Sequence, residues 1–296
     1  MKRTILSILV IAAAGFTASA QSVGFINVTS DAEGLALAGA TVARDANAFV
    51  ADNNVAAAAL SDKTFSIAAS YGMWAPNTTN TGNIGLGGFF HKDKIAVTLI
   101  GKYNLSQPYQ TFNQVARQLE DFTPVEFEVG AGFAYSVIDH LSAGINLKYI
   151  SSSIAEKVAG SAFAADLGVM YNTESIKAGL SVNNIGTKLK YDSSEYDLPM
   201  SIKAGAAYSV KGFTVSAEGD MMINAGFMAS LGAEYWIKDI VAVRAGYHYG
   251  NAEKTMPSFV STGLGLKFKG LNLNAAYLLA CEPLANTLMV TLGYAF

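Results

Sequence analysis

The sequence predicts an all-β protein: a transmembrane antiparallel β-barrel of about 14 strands with an N-terminal plug-like segment. Three observations lead to this prediction. The chain is 51% hydrophobic but only 15% charged, against roughly 25% charged residues in ordinary soluble domains. After Ala20 no apolar run approaches the roughly 20 residues that a transmembrane helix needs. Apolar and polar residues instead alternate along the chain, as in a barrel whose strands face lipid on one side and a lumen on the other.

The first 20 residues have the features of a secretory signal peptide. Lys2 and Arg3 precede an apolar run over residues 5–16, and the small residues 18–20 form a cleavage site before Gln21. We therefore exclude residues 1–20 from the fold. They predict a protein exported to the cell outer membrane of a Gram-negative bacterium, with the signal peptide removed.

Residues 21–63 form the next segment, and they do not continue the alternating pattern. This stretch is rich in alanine, too apolar for a free tail and too short for a domain of its own. We expect it either to enter the lumen as a plug or to pack at the periplasmic mouth of the barrel.

Residues 64–296 contain the predicted barrel, divided into alternating segments of about the length that crosses a bilayer, ~9–11 residues. Residues 125–137 are the clearest case, because Val125, Phe127, Val129 and Phe133 lie on the face opposite two glutamates. The predicted strands are 64–74, 82–91, 94–103, 125–137, 140–151, 160–171, 174–184, 199–209, 212–221, 226–236, 240–250, 258–268, 271–280 and 286–296.

The links between the predicted strands differ in length according to their position in the order. Links after even-numbered strands are tight turns, whereas those after odd-numbered strands are mostly longer, notably 104–124 and 185–198. Outer-membrane barrels have short periplasmic turns and longer outer loops. This parity places both ends of the barrel domain in the periplasm and Cys281 at the cell surface. In the loop 104–124 we expect a short amphipathic stretch for a partner or a lipid-like ligand, formed by Val115, Leu119 and Phe122.

Charged residues within the strands fall on the face opposite the apolar one, as expected if the apolar face meets lipid. A secreted β-sandwich would show the same pattern with its faces exchanged. Aromatic residues gathered at both ends of the strands favour the membrane barrel. We expect cross-strand ion pairs and an obstructed lumen, because the charges are of mixed sign. The lumen charge network is predicted to contain Lys102, Glu126, Glu128, Lys148, Asp166, Lys177, Glu234 and Arg244.

The chain ends on an alternating strand with an aromatic last residue. Leu292, Tyr294 and Phe296 lie on its apolar face. Outer-membrane barrels commonly end in this way, and we interpret the three residues as a C-terminal signal for the barrel-assembly machinery.

Several stretches resemble the PorV/PorQ family, which is related to the FadL-type transporters. The segment GLALAGATVARDANAFVADNNVAAAAL is similar to the family's N-terminal pattern, with Asn54 where that pattern has Asn-Pro-Ala and with the proline missing. A second pattern comprises Asn184 and Gly186, a loop, and then Leu198 and Pro199 opening a strand. Strands near the C-terminus, including Arg244, are also similar. The resemblance implies a 14-stranded FadL-like barrel that serves either in type IX protein secretion or in the movement of hydrophobic compounds.

We find no motif for catalysis, a cofactor or a metal in the sequence. His91 and His140 lie beside predicted turns, and His248 is interpreted as a hydrogen-bonding residue of the lumen. A net charge of −3 with a pI near 5.6 speaks against nucleic-acid binding. We expect a non-enzymatic protein that contacts outer-membrane lipid and the assembly machinery. Two functions remain open: a subunit or adaptor of a secretion or assembly system with envelope protein partners, and a transporter with a lipid-like ligand.

Overall fold

The computed structural model describes residues 24–113, 118–155, 158–191, 194–280 and 283–296. Fourteen antiparallel strands close into a barrel, in which the first strand pairs with both the second and the last. This confirms the predicted fold class and strand number. The signal peptide and Cys281 lie outside the described residues.

The barrel strands correspond one for one to the predicted ones. The largest difference is in β7, which continues to Ala155. The barrel strands are β1 (Phe65–Trp74), β2 (Thr81–Lys92), β3 (Ile95–Leu105), β6 (Val125–Ile138), β7 (Leu141–Ala155), β8 (Val158–Asn172), β9 (Ile176–Gly186), β12 (Ser201–Val210), β13 (Phe213–Met222), β14 (Gly226–Ile237), β15 (Val241–Tyr249), β16 (Phe259–Phe268), β17 (Leu271–Leu279) and β18 (Leu288–Ala295). The other four strands form two small hairpins in the loops: β4 (Tyr109–Asn113) with β5 (Gln118–Phe122), and β10 (Leu189–Tyr191) with β11 (Ser194–Tyr196).

The side chains of the barrel wall are arranged inside out relative to a soluble protein. Leu99 and Leu264 are 67% and 59% exposed on the outer face, whereas the inward-facing Glu128 and Arg244 are 1% and 2% exposed. A soluble sandwich would bury the leucines and expose the charges. This arrangement is that of a membrane barrel, and it decides between barrel and sandwich in favour of the barrel.

The two ends of the barrel differ in their connections. At one end, which we call the short-turn end, consecutive strands are joined by two or three residues. Two of these turns, Lys211-Gly212 and Lys269-Gly270, have positive φ at both positions. This backbone matches the twist of a two-residue hairpin, and the second position suits glycine. The opposite end, the long-loop end, carries most of the longer connections, including residues 106–124, 187–200 and 250–258.

The loop between β3 and β6 differs from the prediction. It contains the hairpin β4–β5, and Leu119 and Phe122 of the predicted amphipathic stretch lie on β5. The hydroxyl of Tyr109 donates a hydrogen bond to the carbonyl of Ile154 and so ties the hairpin to the end of β7. Val115 lies outside the described residues.

Residues 24–63, hereafter the lumenal segment, contain four short helical elements and no strand among the described residues. These are the 3-10 turn Gly24–Asn27, α1 (Ala32–Ala36), α2 (Val50–Asn53) and the 3-10 helix Val55–Leu60. In the described parts of the chain, no helix combines the length and the apolar character needed to cross a membrane.

Candidate functional site: the barrel lumen

The lumenal segment lies inside the barrel and is hydrogen-bonded to its walls. The hydroxyl of Ser142 on β7 donates to the carbonyl of Ala56 at 2.7 Å. Across the lumen, Ser261 on β16 donates to the carbonyl of Ala36 at 2.8 Å. Thr291 on β18 accepts from the backbone N–H of Ala32 at 2.9 Å. Small hydroxyl side chains of the wall thus satisfy backbone groups that would otherwise be buried without partners.

Glycine residues on the wall, which have no side chain, let the segment approach closely. A Cβ added to Gly179 on β9 would lie 2.0 Å from the carbonyl oxygen of Val42, and one on Gly87 of β2 would lie 2.4 Å from that of Ala48. Both are far inside van der Waals contact with backbone atoms, which cannot swing away. Packing therefore requires glycine at these positions. The many alanines of the lumenal segment, with their small side chains, also permit the close approach.

Several predicted lumen charges pair with the lumenal segment instead of with a neighbouring strand. The ammonium of Lys102 lies 2.7 Å from Asp52, and Lys177 contacts Asp45. Lys102 and Glu128 are directly opposite in the register of β3 and β6, yet Lys102 is directed inward to Asp52. The sequence prediction of pairing between strands is wrong for these two lysines, because the segment brings carboxylates closer.

Other predicted charges do pair between strands. Arg244 on β15 contacts Glu234 on β14 at 2.5 Å, and its guanidinium also lies 3.9 Å from Glu33. Lys148 on β7 lies 3.0 Å from Asp166 on β8 and 3.9 Å from Glu128 on β6.

Two glutamates of the wall are held by neutral groups. Glu126 accepts hydrogen bonds from Asn104 and Ser152, at 2.7 and 3.0 Å. Glu218 is not in the predicted charge network, yet one of its oxygens accepts the backbone N–H groups of Thr41 and Val42, each at 2.7 Å. A carboxylate bonded to two N–H groups fixes the lumenal segment against β13.

Ionised groups of the lumenal segment respond to these neighbours. Burial alone would raise the pKa of Glu33, but Arg44, Arg244 and Lys63 outweigh it and lower the pKa from 4.5 to about 2. Burial likewise opposes ionisation of Asp52, and Lys102 reverses this, so that its pKa is lowered. Burial dominates at Asp31, whose pKa is raised although Arg44 is near. The charges that tie the segment to the wall, Glu33 and Asp52, are therefore held in their ionised form.

Asn54 fixes the turn that, in the family pattern, contains a proline. Its Oδ1 accepts the N–H of Ala56 at 3.2 Å and begins the 3-10 helix Val55–Leu60. Its Nδ2 donates to the carbonyls of Val42 and Val169, at 2.9 and 3.1 Å. Side-chain hydrogen bonds thus fix the turn here without the rigid ring.

Asn184 joins the second family pattern to the lumen charges. It lies in a bulge of β9 with φ +60°, where the pairing with β8 shifts beside Asp166. Its Oδ1 accepts from Lys148 at 2.5 Å, and its Nδ2 donates to the carbonyl of Pro199 at 2.9 Å. Gly186, at the end of β9, continues the pairing with β8.

The loop that Pro199 closes folds inward at the long-loop end. Leu198 is buried and packs in a cluster with Phe25, Ile26, Leu189 and Ile150. The motif residues Asn184, Leu198 and Pro199 therefore close this loop over the start of the lumenal segment.

The predicted C-terminal signal lies at the closure of the barrel. Leu292 and Tyr294 are exposed on the outer face of β18, and Phe296 is 63% exposed. The backbone N–H of Phe296 donates to the carbonyl of Phe65 at 3.1 Å, and the carbonyl of Phe296 accepts from the N–H of Phe65 at 3.0 Å. The two rings lie 5.6 Å apart.

Two cavities remain at opposite ends of the lumen, with the lumenal segment between them. The outward cavity, of about 430 Å³, opens at the long-loop end, where Trp74, Met222 and Pro257 line it. The inner cavity, of about 300 Å³, lies at the short-turn end beside Asp239 and Tyr294. Among the described residues, no group of histidine, cysteine and carboxylate side chains is arranged to hold a metal.

The histidines are engaged in structural contacts. His248 shares a hydrogen bond with Ser230 at 3.0 Å and stacks on Phe259. His91 and His140 bond to backbone carbonyls at the short turns.

Comparison with known proteins identifies relatives at two levels. The family model described as type IX secretion system protein PorV matches residues 13–225, well over half of the chain. No curated protein sequence matches the chain.

Among solved structures, the toluene transporter TbuX of Ralstonia pickettii is similar with a TM-score of 0.65 and 12% identity, covering 90% of this chain and 97% of that one. The toluene transporter TodX of Pseudomonas putida is similar with a TM-score of 0.65 and 14% identity, covering 90% of this chain and 98% of that one. A Pseudomonas aeruginosa FadL homologue is similar with a TM-score of 0.59 and 13% identity, covering 90% of this chain and 98% of that one. At such identities the likeness shows a shared FadL-like fold.

Proposed function

The chain belongs to the family of the type IX secretion system protein PorV, and we propose that it acts as a non-enzymatic outer-membrane subunit or adaptor of an envelope protein secretion system. The fold and family place it in the outer membrane of a Gram-negative bacterium. We further propose that it is exported with removal of residues 1–20. Sequencing of the mature N-terminus should then begin at Gln21.

The observation that carries the proposal is the filled lumen. The lumenal segment is bonded to opposite walls of the barrel and lies between the two cavities. A diffusion pore needs a continuous polar path, which such an arrangement opposes. An adaptor needs no path through itself, because its loops and rims can carry the contacts with partners.

A second candidate is transport of hydrophobic small molecules. The mouth of the outward cavity favours it, because Trp74, Met222 and Phe259 offer an apolar lining. The solved transporters with a similar fold support it by analogy of fold only.

Photo-crosslinking in living cells would test the secretion proposal. A crosslinking residue at Lys254, in the loop 250–258, should capture the same envelope protein in stoichiometric amount from each preparation, whereas one at Lys211, in a short turn, serves as the matched control. Cells lacking the protein should fail to deliver a defined set of proteins to their surface while uptake of hydrophobic compounds is unchanged. Impaired uptake with normal protein delivery would contradict the proposal and favour the transporter.

A further inference from the structure

The outward cavity is lined by both apolar and charged side chains. Trp74, Met222, Met228, Met256 and Phe259 line its apolar part. Methionine side chains are flexible and polarisable, so they adapt to apolar bodies of varied shape. A volume of about 430 Å³ is in the range of small-molecule sites.

The charged groups that line this cavity are balanced: three are positive and three negative, namely Lys148, Lys203, Lys254, Asp52, Glu218 and Asp220. Three of them already have strong partners. Lys148 contacts Asp166 at 3.0 Å, Asp52 contacts Lys102 at 2.7 Å, and Glu218 accepts the two backbone N–H groups of the lumenal segment. Lys254 lies in the exposed loop at the rim.

Lys203 and Asp220 remain. They are directly opposite in the register of β12 and β13, and both line the cavity. Among the described residues, no carboxylate lies within 4.0 Å of the Lys203 ammonium. The Asp220 carboxyl group contacts the side chain of Ser201, but its Oδ1 is buried and has no hydrogen-bond partner among the described residues.

A cationic donor and an anionic acceptor thus line the cavity side by side without direct contact, and Asp220 is also opposite Met228 in the register of β13 and β14. A buried polar atom without a hydrogen-bond partner destabilises the protein, and a ligand that offers the complementary charges removes that cost. An anionic group of the ligand fits the ammonium of Lys203, and a cationic group fits the carboxylate of Asp220. Residues opposite each other on paired strands have Cβ atoms about 5 Å apart, so the two ligand charges must be close neighbours.

We propose that the outward cavity binds a zwitterionic amphiphile, with an ammonium and a carboxylate or phosphate separated by a few bonds and an apolar body directed to the methionines. This proposal is independent of the secretion function. An apolar amino acid and a zwitterionic lipid headgroup share the required chemistry.

Four probes with the same ring would test the proposal: phenylalanine, 3-phenylpropanoate, 2-phenylethylamine and ethylbenzene. Binding is followed by the fluorescence of Trp74 in the folded full-length protein, in a neutral maltoside detergent. Trp236→Phe removes the other tryptophan, which lines the inner cavity. Phenylalanine should bind at least tenfold more tightly than each of the other three probes.

Variants separate recognition of charge from loss of structure. Lys203→Gln should weaken phenylalanine and 3-phenylpropanoate about tenfold and leave 2-phenylethylamine unchanged. Asp220→Asn should weaken phenylalanine and 2-phenylethylamine and spare 3-phenylpropanoate. Lys267→Gln, an exposed lysine beside the inner cavity, is the matched control and should change none of the affinities.

Each other outcome would overturn the proposal. Equal affinity for ethylbenzene would make the cavity a purely apolar site, and equal affinity for 3-phenylpropanoate would make it a site for anionic amphiphiles. Absence of binding, or equal loss of all four probes in both variants, would also contradict it. If the proposal holds, competition by a short-chain phosphatidylethanolamine would identify a lipid as the source of the ligand, and competition by leucine alone would identify an amino acid.

Discussion

Lys102 of the barrel wall and Asp52 of the lumenal segment form an ion pair of 2.7 Å, with side chains only 7% and 12% exposed. The same ammonium donates to the carbonyl of Ile26 at 2.8 Å. One side chain of β3 therefore holds two separate parts of the segment, and the pair joins the fold of the segment to that of the barrel.

The first prediction concerns this pair. Lys102→Met should lower the free energy of unfolding by about 3–5 kcal/mol, because it leaves a buried carboxylate without its partner. Adding Asp52→Leu should restore much of the loss, since an apolar pair replaces an uncompensated charge. Urea unfolding, followed by the heat-modifiable band in unboiled gels, measures both changes.

A surface pair serves as the control for that measurement. Lys188 and Asp197 lie 3.3 Å apart with both side chains exposed, so Lys188→Met should cost at most about 1 kcal/mol. Equal effects of Lys102→Met and Lys188→Met would mean that the lumenal pair contributes little.

The second prediction is a loss of stability in acid. The folded-state pKa of Glu33 is lowered from 4.5 to about 2, so its stabilising contribution is complete above pH 4.5 and is lost as the pH falls toward 2. The stability difference between the protein and Glu33→Gln should therefore be largest near pH 6 and shrink through this window. Unfolding curves at pH 6, 4 and 3 measure it. A difference that is constant with pH would show that Glu33 is not held by Arg44 and Arg244.

The third prediction tests the lipid face. Ile145 and Leu231 are 39% and 55% exposed on the outer wall, and an arginine at either position should cost roughly 2–4 kcal/mol if it lies near the bilayer midplane. Alternation alone makes the inward neighbour Asn146 the milder site for arginine. Asn146 is fully enclosed, however, and donates to Asp166 at 3.1 Å, so Asn146→Arg is not a suitable control.

Asn272 is the better control, since it faces the inner cavity. Asn272→Arg should fold nearly as well as the unaltered protein in lipid vesicles. Equal folding yields for Ile145→Arg and Asn272→Arg would argue against lipid contact at Ile145.

The fourth prediction concerns assembly. Removal of Phe296 deletes two backbone bonds that close the barrel at Phe65, as well as the proposed signal for the barrel-assembly machinery. The folded, heat-modifiable band should therefore appear more slowly in cells. Phe296→Tyr keeps the backbone and the ring and should assemble at the normal rate. If the deletion and Phe296→Tyr assemble equally fast, the terminal aromatic residue has no role in recognition.

The sequence predicted the wall of this barrel better than its contents, for a physical reason. Side-chain direction in a strand has a period of two, so the outward position of Leu99 and the inward position of Lys102 follow from local order alone. Residues 24–63 have no such period, and the partner of Lys102 depends on how that segment folds in the lumen. The acidic residues of this segment, including Asp45 and Asp52, are the one sequence feature that could have indicated ion pairs with the inward-facing lysines. The bulge at Asn184 was also not predictable, because it arises from contacts with Asp166 and Pro199.

The last prediction is that the lumenal segment controls conductance. Because Ser142 and Ser261 hold it from opposite walls, and because it lies between the two cavities, the purified protein should conduct ions poorly in planar bilayers. Deleting residues 21–60 should raise the conductance in the fraction that still folds, since a barrel of 14 strands is wide enough to leave space once it is emptied. Shortening the loop 250–258 is the matched control, because it removes chain at the long-loop end but leaves the segment in place.

Large, stable openings of the intact protein would contradict a plug and favour a diffusion pore. Low conductance after the deletion would show that the remaining side chains block the lumen without the segment, and its main role would then be to stabilise the barrel from within.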